Sequence, residues 1–548
     1  MRRLAGGIAL FLWAAALVLA APGYETLIGE SPSRARDFGS LLYMQGDANL
    51  QQTRALFYRV RAPKPTHLNA LAQKGADPAL SRLLDCRNAA TKNLLDASPE
   101  CLAIALSPPR AEHVEPKERL RLADRVAPID PLKAAIFRAM ATPDPLLAAW
   151  DDADVFYAIV LQATPGYLRW NANRPIEPQV LARLQQDGRF SALLERVVVH
   201  GGLDRLAQSL ALADPSQLDH KGALYLGFLA LLHGDKPAAL RAFEAAEAKS
   251  WSRSGKDRAL FWLWRVSTEE RYLVQLAQSF DVNFYALLAK ERRGLPIPTV
   301  VSRVEPQPQM TREYGEQDFY NPFFWAALNN KIVRKDPAVL KAELAKLGHP
   351  AAESYRAAVE LHLGSADTHY FLDPWPHLLE GLNVEQKAMF LAIMRQESRF
   401  IPAALSTSYA IGSMQMMPFL IEHMAKERRE KNDVWNFFNP NRQIPYAVSH
   451  LKWLRARLAH PLHIAYAYNG GIGFTKRTLE GDIFKKGEYE PFLSLERIPI
   501  EEPREYGKIV LANYVVYRSL LGDPVSLEGL LQTLTPLGDL YPGGSASN

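Results

Sequence analysis

The residues best suited to chemistry surround one glutamate, Glu397, in the stretch MRQESRF at 394–400. Five residues at i, i+3, i+4, i+7 and i+10 fall on one stripe of a predicted helix: Phe390, Ile393, Met394, Glu397 and Phe400. Three polar residues fall towards the other side: Arg395, Gln396 and Arg399. The spacing therefore places a carboxyl group on the apolar face of a helix.

A carboxyl group that is withdrawn from water has a raised pKa and can donate a proton near neutral pH. Glu397 is thus a candidate general acid. A glutamate at a helix end can also turn out into water, and a neighbouring arginine can cancel the effect of burial. Both alternatives remain open from the spacing alone.

A second carboxylate is missing from the sequence that follows. Between Ser398 and Ile421 there is no Asp or Glu, although a retaining glycosidase normally uses a second acid as the nucleophile. Either the partner acid comes from elsewhere in the chain, or the substrate supplies the nucleophile. The acetamido oxygen of an N-acetylated sugar can take that role.

Four motifs in the C-terminal third resemble those of the family 1 soluble lytic transglycosylases of bacterial cell-wall metabolism. RQESRF resembles the catalytic Glu-Ser motif, SMQMMP the Gly-Leu-Met-Gln-x-Met-Pro loop, AYNGG the Ala-Tyr-Asn-Ala-Gly motif, and IPIEEPREY the Ile-Pro-Phe-x-Glu-Thr-Arg-x-Tyr motif. The resemblance implies Glu397 as the catalytic residue and a set of substrate-binding residues: Ser398, Met414, Gln415, Tyr468, Asn469, Glu502 and Tyr506. Three positions depart from the family pattern, namely Tyr409 for glycine, Ser413 for leucine and Pro503 for threonine, whereas Gly470 for alanine looks inconsequential.

The resemblance also implies a fold, a reaction and a partner. The fold would be mainly all-α, with an N-terminal superhelix of stacked helix pairs, a small linker domain and a C-terminal lysozyme-like domain. The reaction would cleave the bond between N-acetylmuramic acid and N-acetylglucosamine in peptidoglycan glycan strands and leave 1,6-anhydro ends, without a cofactor. Peptidoglycan synthases or envelope machinery are further expected partners of a protein that we expect to be a monomer.

Two other functions fit the same residues. A hydrolysing muramidase would use water where the transglycosylase uses the 6-hydroxyl group of the sugar. A non-enzymatic helical scaffold would only hold glycan strands, although it would have no reason to keep Glu397 and its companion motifs.

The catalytic residues need a helix that begins at a fixed position. Asn383 followed by Gln386 has the spacing of a capping box. Upstream, helix-length segments separated by Gly, Pro and Asp fill residues 22–293, including one predicted pair at 223–233 and 237–250. Residues 294–370, which open with the proline-rich stretch 294–309, form a predicted strap and linker domain. We place the catalytic domain at 371–535, with a short hairpin near 472–484, and a disordered tail at 536–548.

The N-terminus predicts export. Arg2 and Arg3 precede an uncharged apolar run from Leu4 to Ala21 that ends in small residues, which is the layout of a secretory signal peptide over residues 1–21. The expected location is the periplasm, with membrane association if the signal is not cleaved. In an oxidising compartment, Cys86 and Cys101 form a predicted structural disulfide; two separate buried thiols are the alternative.

Composition excludes some classes and favours few. With 48% hydrophobic and 10% aromatic residues the 548-residue chain can bury several cores. Its 64 basic and 59 acidic residues nearly balance, for a formal charge of +5, and this near balance argues against nucleic acid as the main partner. His450, His460 and His463 match no zinc spacing, so we predict no metal site and solvent-facing histidines. Trp251, Trp262 and Trp264 are expected to pack between helices.

Overall fold

The computed structural model describes residues 21–534 except 76, 365, 366 and 432. The predicted signal peptide at 1–21, apart from Ala21, and the predicted tail at 536–548 lie outside the described residues. Among the described helices, none combines the length and apolarity needed to cross a membrane. The prediction of a mainly helical fold is confirmed, because the only β-pairing in this part of the chain is a few isolated bridges.

The region before residue 293 is built from short helices connected by tight turns. They are α1 Tyr24–Gly29, α2 Arg34–Gln45, α3 Leu50–Phe57, α4 Pro65–Gln73, α5 Pro78–Asn88, α6 Thr91–Leu94, α7 Pro99–Ala105, α8 Pro108–Ala111, α9 Pro116–Val126, α10 Pro131–Met140, α11 Pro145–Ala148, α12 Ala153–Gln162, α13 Pro165–Asn171, α14 Pro178–Leu184, α15 Phe190–His200, α16 Asp204–Leu210, α17 His220–Leu232, α18 Lys236–Lys249, α19 Arg253–Ser267, α20 Glu270–Ala277 and α21 Phe284–Arg292.

Asp-Pro pairs explain where several of these helices begin. The side chains of Asp77, Asp130 and Asp144 each accept a hydrogen bond from a backbone N–H in the first turn, and a proline follows each of them. An N-cap aspartate satisfies an N–H that the helix leaves free, and proline at the first helical position has none to satisfy. The sequence thus sets helix starts locally.

Neighbouring helices in the chain are neighbours in space. Helix α17 packs against α15 and α18, α18 against α19, and α19 against α20 and α21. The predicted pair at 223–233 and 237–250 is present as α17 and α18, each beginning slightly earlier. This is a succession of stacked helix pairs, as expected for a superhelical region.

Two side-chain predictions for this region have clear outcomes. The sulfur atoms of Cys86 in α5 and Cys101 in α7 are bonded to each other. Trp262 and Trp264 are buried in α19, but the packing prediction is wrong for Trp251, which is 93% exposed. Trp251 lies in the turn just before the N-cap of α19, where no neighbouring helix covers it.

The linker region joins the superhelix to the C-terminal domain. Its helices are α22 Pro322–Arg334, α23 Pro337–Leu344 and α24 Glu353–Leu363, packed around their own core, which includes Phe319, Leu340 and Tyr355. The proline-rich strap is tied down at Val301, whose backbone bonds to His369 and Phe371. The strap thus runs back to the start of the C-terminal domain.

The C-terminal domain contains α25 Val384–Ser398, α26 Pro418–Arg428, α27 Pro440–Arg455, α28 Pro461–Gly470, α29 Ile472–Leu479, α30 Phe492–Glu496, α31 Glu501–Leu520 and α32 Leu527–Gln532. Short 3₁₀ turns of the chain lie at Pro215–Gln217, Glu316–Tyr320, Pro350–Ala352, Pro376–Leu379 and Val434–Phe438. Both α25 and α28 pack against α31, which is therefore the central helix of the domain.

The predicted hairpin near 472–484 is wrong, because residues 472–479 form α29. Thr475 and Thr478 are buried and Ile472 packs against the core. Their spacing of three residues follows the period of a helix rather than the alternation of a strand.

The first helices of the chain contact the C-terminal domain. The Tyr409 ring lies 5.1 Å from the ring of Phe38 in α2 and 5.7 Å from that of His67 in α4, measured between centroids. The Tyr409 hydroxyl is 3.3 Å from His67 Nε2. Tyr409 has φ of 66°, a left-handed conformation that costs a non-glycine residue free energy, and its ring packs against the superhelical region.

Candidate active site

Helix α25 carries the candidate acid. The Asn383 side chain accepts a hydrogen bond from the N–H of Gln386, and the Gln386 side chain accepts one from the N–H of Asn383, so the capping box that the sequence predicts is present. Phe390, Ile393 and Met394 are fully buried, but so are Leu391 and Ala392 between them, so this part of α25 is buried all round rather than along the one predicted stripe. Glu397 lies one turn further along and is half-buried.

Glu397 contacts a tyrosine and no cation. The Tyr506 hydroxyl in α31 donates a hydrogen bond of 2.7 Å to Glu397 Oε1. Within the described residues no lysine, arginine or histidine forms an ion pair with Glu397, so the arginine that could have cancelled the effect of burial is absent there.

The surroundings of Glu397 favour its protonated form. Burial is the main cause that raises the pKa of Glu397 from 4.5 to about 8; the hydrogen bond from Tyr506 opposes this rise, and the charge of Glu502 adds to it. Burial, followed by the charge of Glu397, raises the pKa of Tyr506 well above its ordinary value. Glu397 is therefore largely protonated at neutral pH, and Tyr506 stays a donor.

Two hydrogen bonds tie the loop after α25 to α25 and α28, and a third lies within the loop. Ser398 Oγ donates to the carbonyl oxygen of Ser413 at 2.8 Å, and Tyr468 in α28 donates its hydroxyl to the carbonyl oxygen of Met414 at 2.7 Å. The Gln415 side-chain amide donates to the carbonyl oxygen of Gly412 at 2.7 Å. The Met414 side chain is fully buried, so the contribution of Met414 to this network is its carbonyl group.

Gln443 in α27 explains the glycine in this loop. Gly412 has φ of 75°, and a Cβ atom there would lie 2.2 Å from Gln443 Nε2. Gln443 Oε1 accepts hydrogen bonds from the hydroxyl of Ser413 at 2.9 Å and from the N–H of Met414 at 3.0 Å. The serine that stands at the leucine position of the family pattern is therefore buried and bonded.

The last predicted pair lies at the start of α31. Asn469 Nδ2 donates a hydrogen bond of 3.0 Å to Glu502 Oε1. Pro503 lies in the first turn of α31, where a missing N–H breaks no intrahelical bond. A Cβ atom at Gly470 would lie 2.6 Å from Phe474 and 3.0 Å from Pro503, so Gly470 makes room for both rings and is not inconsequential.

The three histidines are not solvent-facing. His450, His460 and His463 are half-buried, and burial lowers the pKa of His463 to about 4. His460 caps α28 by accepting a hydrogen bond from the N–H of Leu462. The described residues contain no cluster of His, Cys, Asp or Glu that could hold a metal ion.

A buried charge network that the sequence did not reveal anchors α31 to the superhelix. Glu496 in α30 is 1% exposed and accepts hydrogen bonds from Arg258 and Trp262 of α19, from Tyr285 of α21 and from Lys508 of α31. Burial acts to raise the pKa of Glu496, but the charges of Arg258 and Lys508 outweigh it and hold the pKa well below its usual range.

Arg504 makes a second anchor beside the first. Its side chain is fully buried, donates to the carbonyl oxygen of Ile498 at 2.8 Å and pairs with Glu195 of α15. The opposite side of the same helical turns bears Glu502 and Tyr506, which contact Asn469 and Glu397. The superhelix thus fixes the helix that places Tyr506 against the acid.

Comparisons with known proteins identify the C-terminal domain. Residues 381–490 match the family described as Transglycosylase SLT domain. Among solved structures, the chain is similar to an inactive mutant of the lytic transglycosylase Slt from Pseudomonas aeruginosa, with 17% identity, a TM-score of 0.47, and coverage of 90% of this chain and 83% of that one. It is also similar to the 70-kDa soluble lytic transglycosylase from Escherichia coli, with 17% identity, a TM-score of 0.46, and coverage of 94% and 86% respectively.

A comparison with curated protein sequences finds no match. The family match covers RQESRF, SMQMMP and AYNGG but ends before Glu502 and Tyr506. Residues 381–490 therefore carry a transglycosylase SLT domain, as the motifs in this part of the chain predict.

Proposed function

We propose that this protein cleaves the β-1,4 bond between N-acetylmuramic acid and N-acetylglucosamine in peptidoglycan and leaves 1,6-anhydro-muramic acid ends. The observation that carries the proposal is the state of Glu397 in an SLT domain. This carboxyl group is half-buried, burial raises its pKa to about 8, and it bonds to Tyr506 without an ion-pair partner in the described part of the chain. Such a group can donate a proton at neutral pH.

Glu397 acts first as an acid and then as a base. It gives its proton to the glycosidic oxygen as the bond to C1 breaks, and the acetamido oxygen of the muramic acid stabilises the positive charge that develops at C1. The ionised Glu397 then takes the proton of the 6-hydroxyl group, whose oxygen bonds to C1. The proton count balances with one carboxylate, and water is not consumed.

The tyrosines and Asn469 serve the acid and the sugar. Tyr506 stabilises the ionised form of Glu397 that exists between the two steps, because its hydroxyl donates to that carboxylate. Tyr468 holds the 412–417 loop through the Met414 carbonyl group. Asn469 and Glu502 bond to each other at the start of α31 and orient the acetamido group of the substrate.

Glu502 also defines the rival reaction. It is the carboxylate whose charge raises the pKa of Glu397, and an acid in this position could activate water and turn the enzyme into a muramidase. In our proposal Glu502 accepts a hydrogen bond from Asn469 and binds the substrate, and it does not activate water.

The setting that we propose follows from the sequence. The N-terminal apolar run directs the chain to the periplasm, where it acts as a monomer on glycan strands. The superhelix guides long strands and offers a surface to peptidoglycan synthases. A protein that only holds glycan strands has no need of a protonated Glu397, so we disfavour the non-enzymatic scaffold.

Mass spectrometry of muropeptides released from purified peptidoglycan tests the reaction. The natural protein should release muramic acid ends that are one water lighter than reducing ends, and Glu397→Gln should release none. Glu422→Gln, which changes an exposed glutamate of the same domain, should behave like the natural protein. Reducing ends that disappear in Glu502→Gln would establish the hydrolase instead, and undiminished product from Glu397→Gln would show that another group is the acid.

A further inference from the structure

A cavity lies between the linker region and the end of α25. It has a volume of about 300 Å³. Its walls combine small apolar side chains of α24 with polar side chains of the C-terminal domain, and the residues used below are Tyr370, Arg395, Gln396 and Arg399. None of its lining residues is an aspartate or a glutamate.

Neither Glu397 nor Tyr506 lines this cavity. Arg395 and Arg399 stand two residues before and two residues after Glu397 on the same helix end. At about 100° per residue, a step of two residues turns the side chain by roughly 200° around the helix axis. Arg395 therefore faces away from the acid. Arg399 ends α25 in the left-handed conformation, so the helical step does not place it, but it lines the same cavity as Arg395.

Arg395 is fixed in place with part of its guanidinium unused. Its Nε donates to the carbonyl oxygen of Tyr370 at 2.8 Å, and its Nη1 donates to Asn513 Oδ1 at 2.7 Å. The guanidinium carbon lies 3.9 Å from the centroid of the Phe371 ring. Nη2 has no hydrogen-bond partner among the described residues, so a rigid donor is left at the cavity wall.

Arg399 and Gln396 add further free donors. Neither side chain has a hydrogen bond or ion pair with any described residue, and Arg399 is exposed. Burial is the main cause that lowers the pKa of Arg395 to about 10; the charge of Arg399 also acts to lower it, whereas Tyr517 and Asp281 act to raise it. Two cations and an amide thus line one cavity; the charge of Asp281 acts on Arg395 from outside the lining, which itself contains no aspartate or glutamate.

Three other buried arginines of the chain have carboxylate or carbonyl partners. Arg258 and Arg504 pair with glutamates, and Arg356 donates to three backbone carbonyl groups. Guanidinium groups prefer carboxylates and phosphates, which they can bind with two parallel hydrogen bonds. A site that keeps its guanidinium groups unpaired is suited to a ligand that supplies the anion.

We propose that the cavity lined by Arg395, Gln396 and Arg399 binds a carboxylate group. Two sources share this chemistry: the peptide stems that muramic acid carries in the proposed substrate, and free small carboxylates. A stem of about five residues spans roughly 16 Å when extended, whereas a helix with its side chains is about 10–12 Å wide. Half the circumference of such a helix is about 16–19 Å, so the length of a fully extended stem is close to the distance round α25. The stem source depends on the proposed function, whereas carboxylate binding itself does not.

The test compares Arg399→Gln with Arg429→Gln in the full mature chain. Arg429 is a matched control, because it is exposed, belongs to the same domain and also ends a helix in the left-handed conformation. Glutarate, titrated calorimetrically, should bind the natural protein, and Arg399→Gln should weaken binding about 10-fold or more, whereas Arg429→Gln should not. Equal binding by both variants, or no binding to the natural protein, would overturn the proposal.

Kinetics then identify the source of the carboxylate. Each protein is assayed on glycan strands with stems and on strands from which an amidase has removed them. If stems supply the carboxylate, Arg399→Gln lowers kcat/KM about 10-fold on stem-bearing strands and leaves it unchanged on bare strands. Unchanged values on both, together with lost glutarate binding, assign the site to free carboxylates. If no protein cleaves either strand, the proposed function fails, and the glutarate titration still decides on the cavity.

Discussion

Removal of the Tyr506 hydroxyl should move the alkaline limit of activity upward. In Tyr506→Phe, Glu397 loses its only described hydrogen bond, which stabilises the ionised carboxylate. The pKa of Glu397 should therefore rise further above 8. Because the protonated acid starts the reaction, activity is lost as the pH rises through this pKa, and a higher pKa extends the active range towards alkaline pH.

The size of the shift follows from the strength of one charged hydrogen bond. A hydrogen bond to a charged group contributes about 1.5–3 kcal/mol, and one pKa unit corresponds to about 1.36 kcal/mol. Tyr506→Phe should thus move the alkaline limb of the profile by about 1–2 units. The maximal rate should fall as well, because the ionised intermediate state loses its donor.

Glu502→Gln provides the opposing control. The charge of Glu502 raises the pKa of Glu397, so its removal should move the alkaline limb downward. The two variants therefore shift the same limb in opposite directions, which a general loss of structure cannot do.

The assay is kcat/KM on soluble, uncross-linked glycan strands from about pH 5 to about pH 10, because this ratio reports the ionisation of the free enzyme. Circular dichroism at each pH confirms that the protein stays folded. A downward shift in Tyr506→Phe, or shifts of the same sign in both variants, would refute the assignment of the limb to Glu397.

Three further predictions concern stability. The folded-state pKa of Glu397 is raised from 4.5 to about 8, so its contribution to stability is fully present below about pH 4.5 and is lost as the pH rises to about 8. Urea unfolding should therefore show that Glu397→Gln gains a few kcal/mol of stability relative to the natural protein between about pH 5 and about pH 9. An equal difference between the two proteins at both pH values would contradict this. Glu496→Gln removes the buried anion between Arg258 and Lys508 and should cost about 3–5 kcal/mol, part of which the additional change Lys508→Met should restore in a double-variant unfolding series. Replacement of Cys86 and Cys101 by alanine opens a loop with a sequence separation of 15 and should lower the free energy of unfolding by about 3 kcal/mol; the same loss should follow reduction of the natural protein, and no loss would mean that the bond is dispensable.

Local signals in the sequence predicted several helix starts and the withdrawal of Glu397 from water, whereas its role as the acid stays a prediction. Asp-Pro pairs and the Asn383–Gln386 box act within one helical turn, and the stripe that contains Glu397 needs only helical periodicity. The loop and tyrosine residues came from motif resemblance, and the structure brings Tyr468, Tyr506 and Ser398 together around α25. Their roles towards a substrate stay predictions.

Contacts between distant segments could not be predicted. Arg258 and Glu496 are 238 positions apart, and His67 and Tyr409 are 342 apart, so no local pattern joins them. The space that Gly470 leaves for Pro503 also depends on how α28 meets α31. The hairpin error near 472–484 arose because a short apolar segment fits either period until its packing partner is known.

Helix α31 has a consequence for how this protein can be divided. The matched domain ends at residue 490, but the tyrosine that bonds to the acid stands at 506. On its opposite face, α31 forms ion pairs with Glu195, Arg258 and Glu496. The end of the matched domain in the sequence thus disagrees with the contacts. One face of α31 contacts Glu397, and the opposite face contacts the superhelix. A fragment that lacks Glu195 and Arg258 would expose the buried charges on one face of α31 and lose contacts that hold Tyr506 beside Glu397 on the other, so an intact SLT domain with α31 needs the helices that carry these two residues.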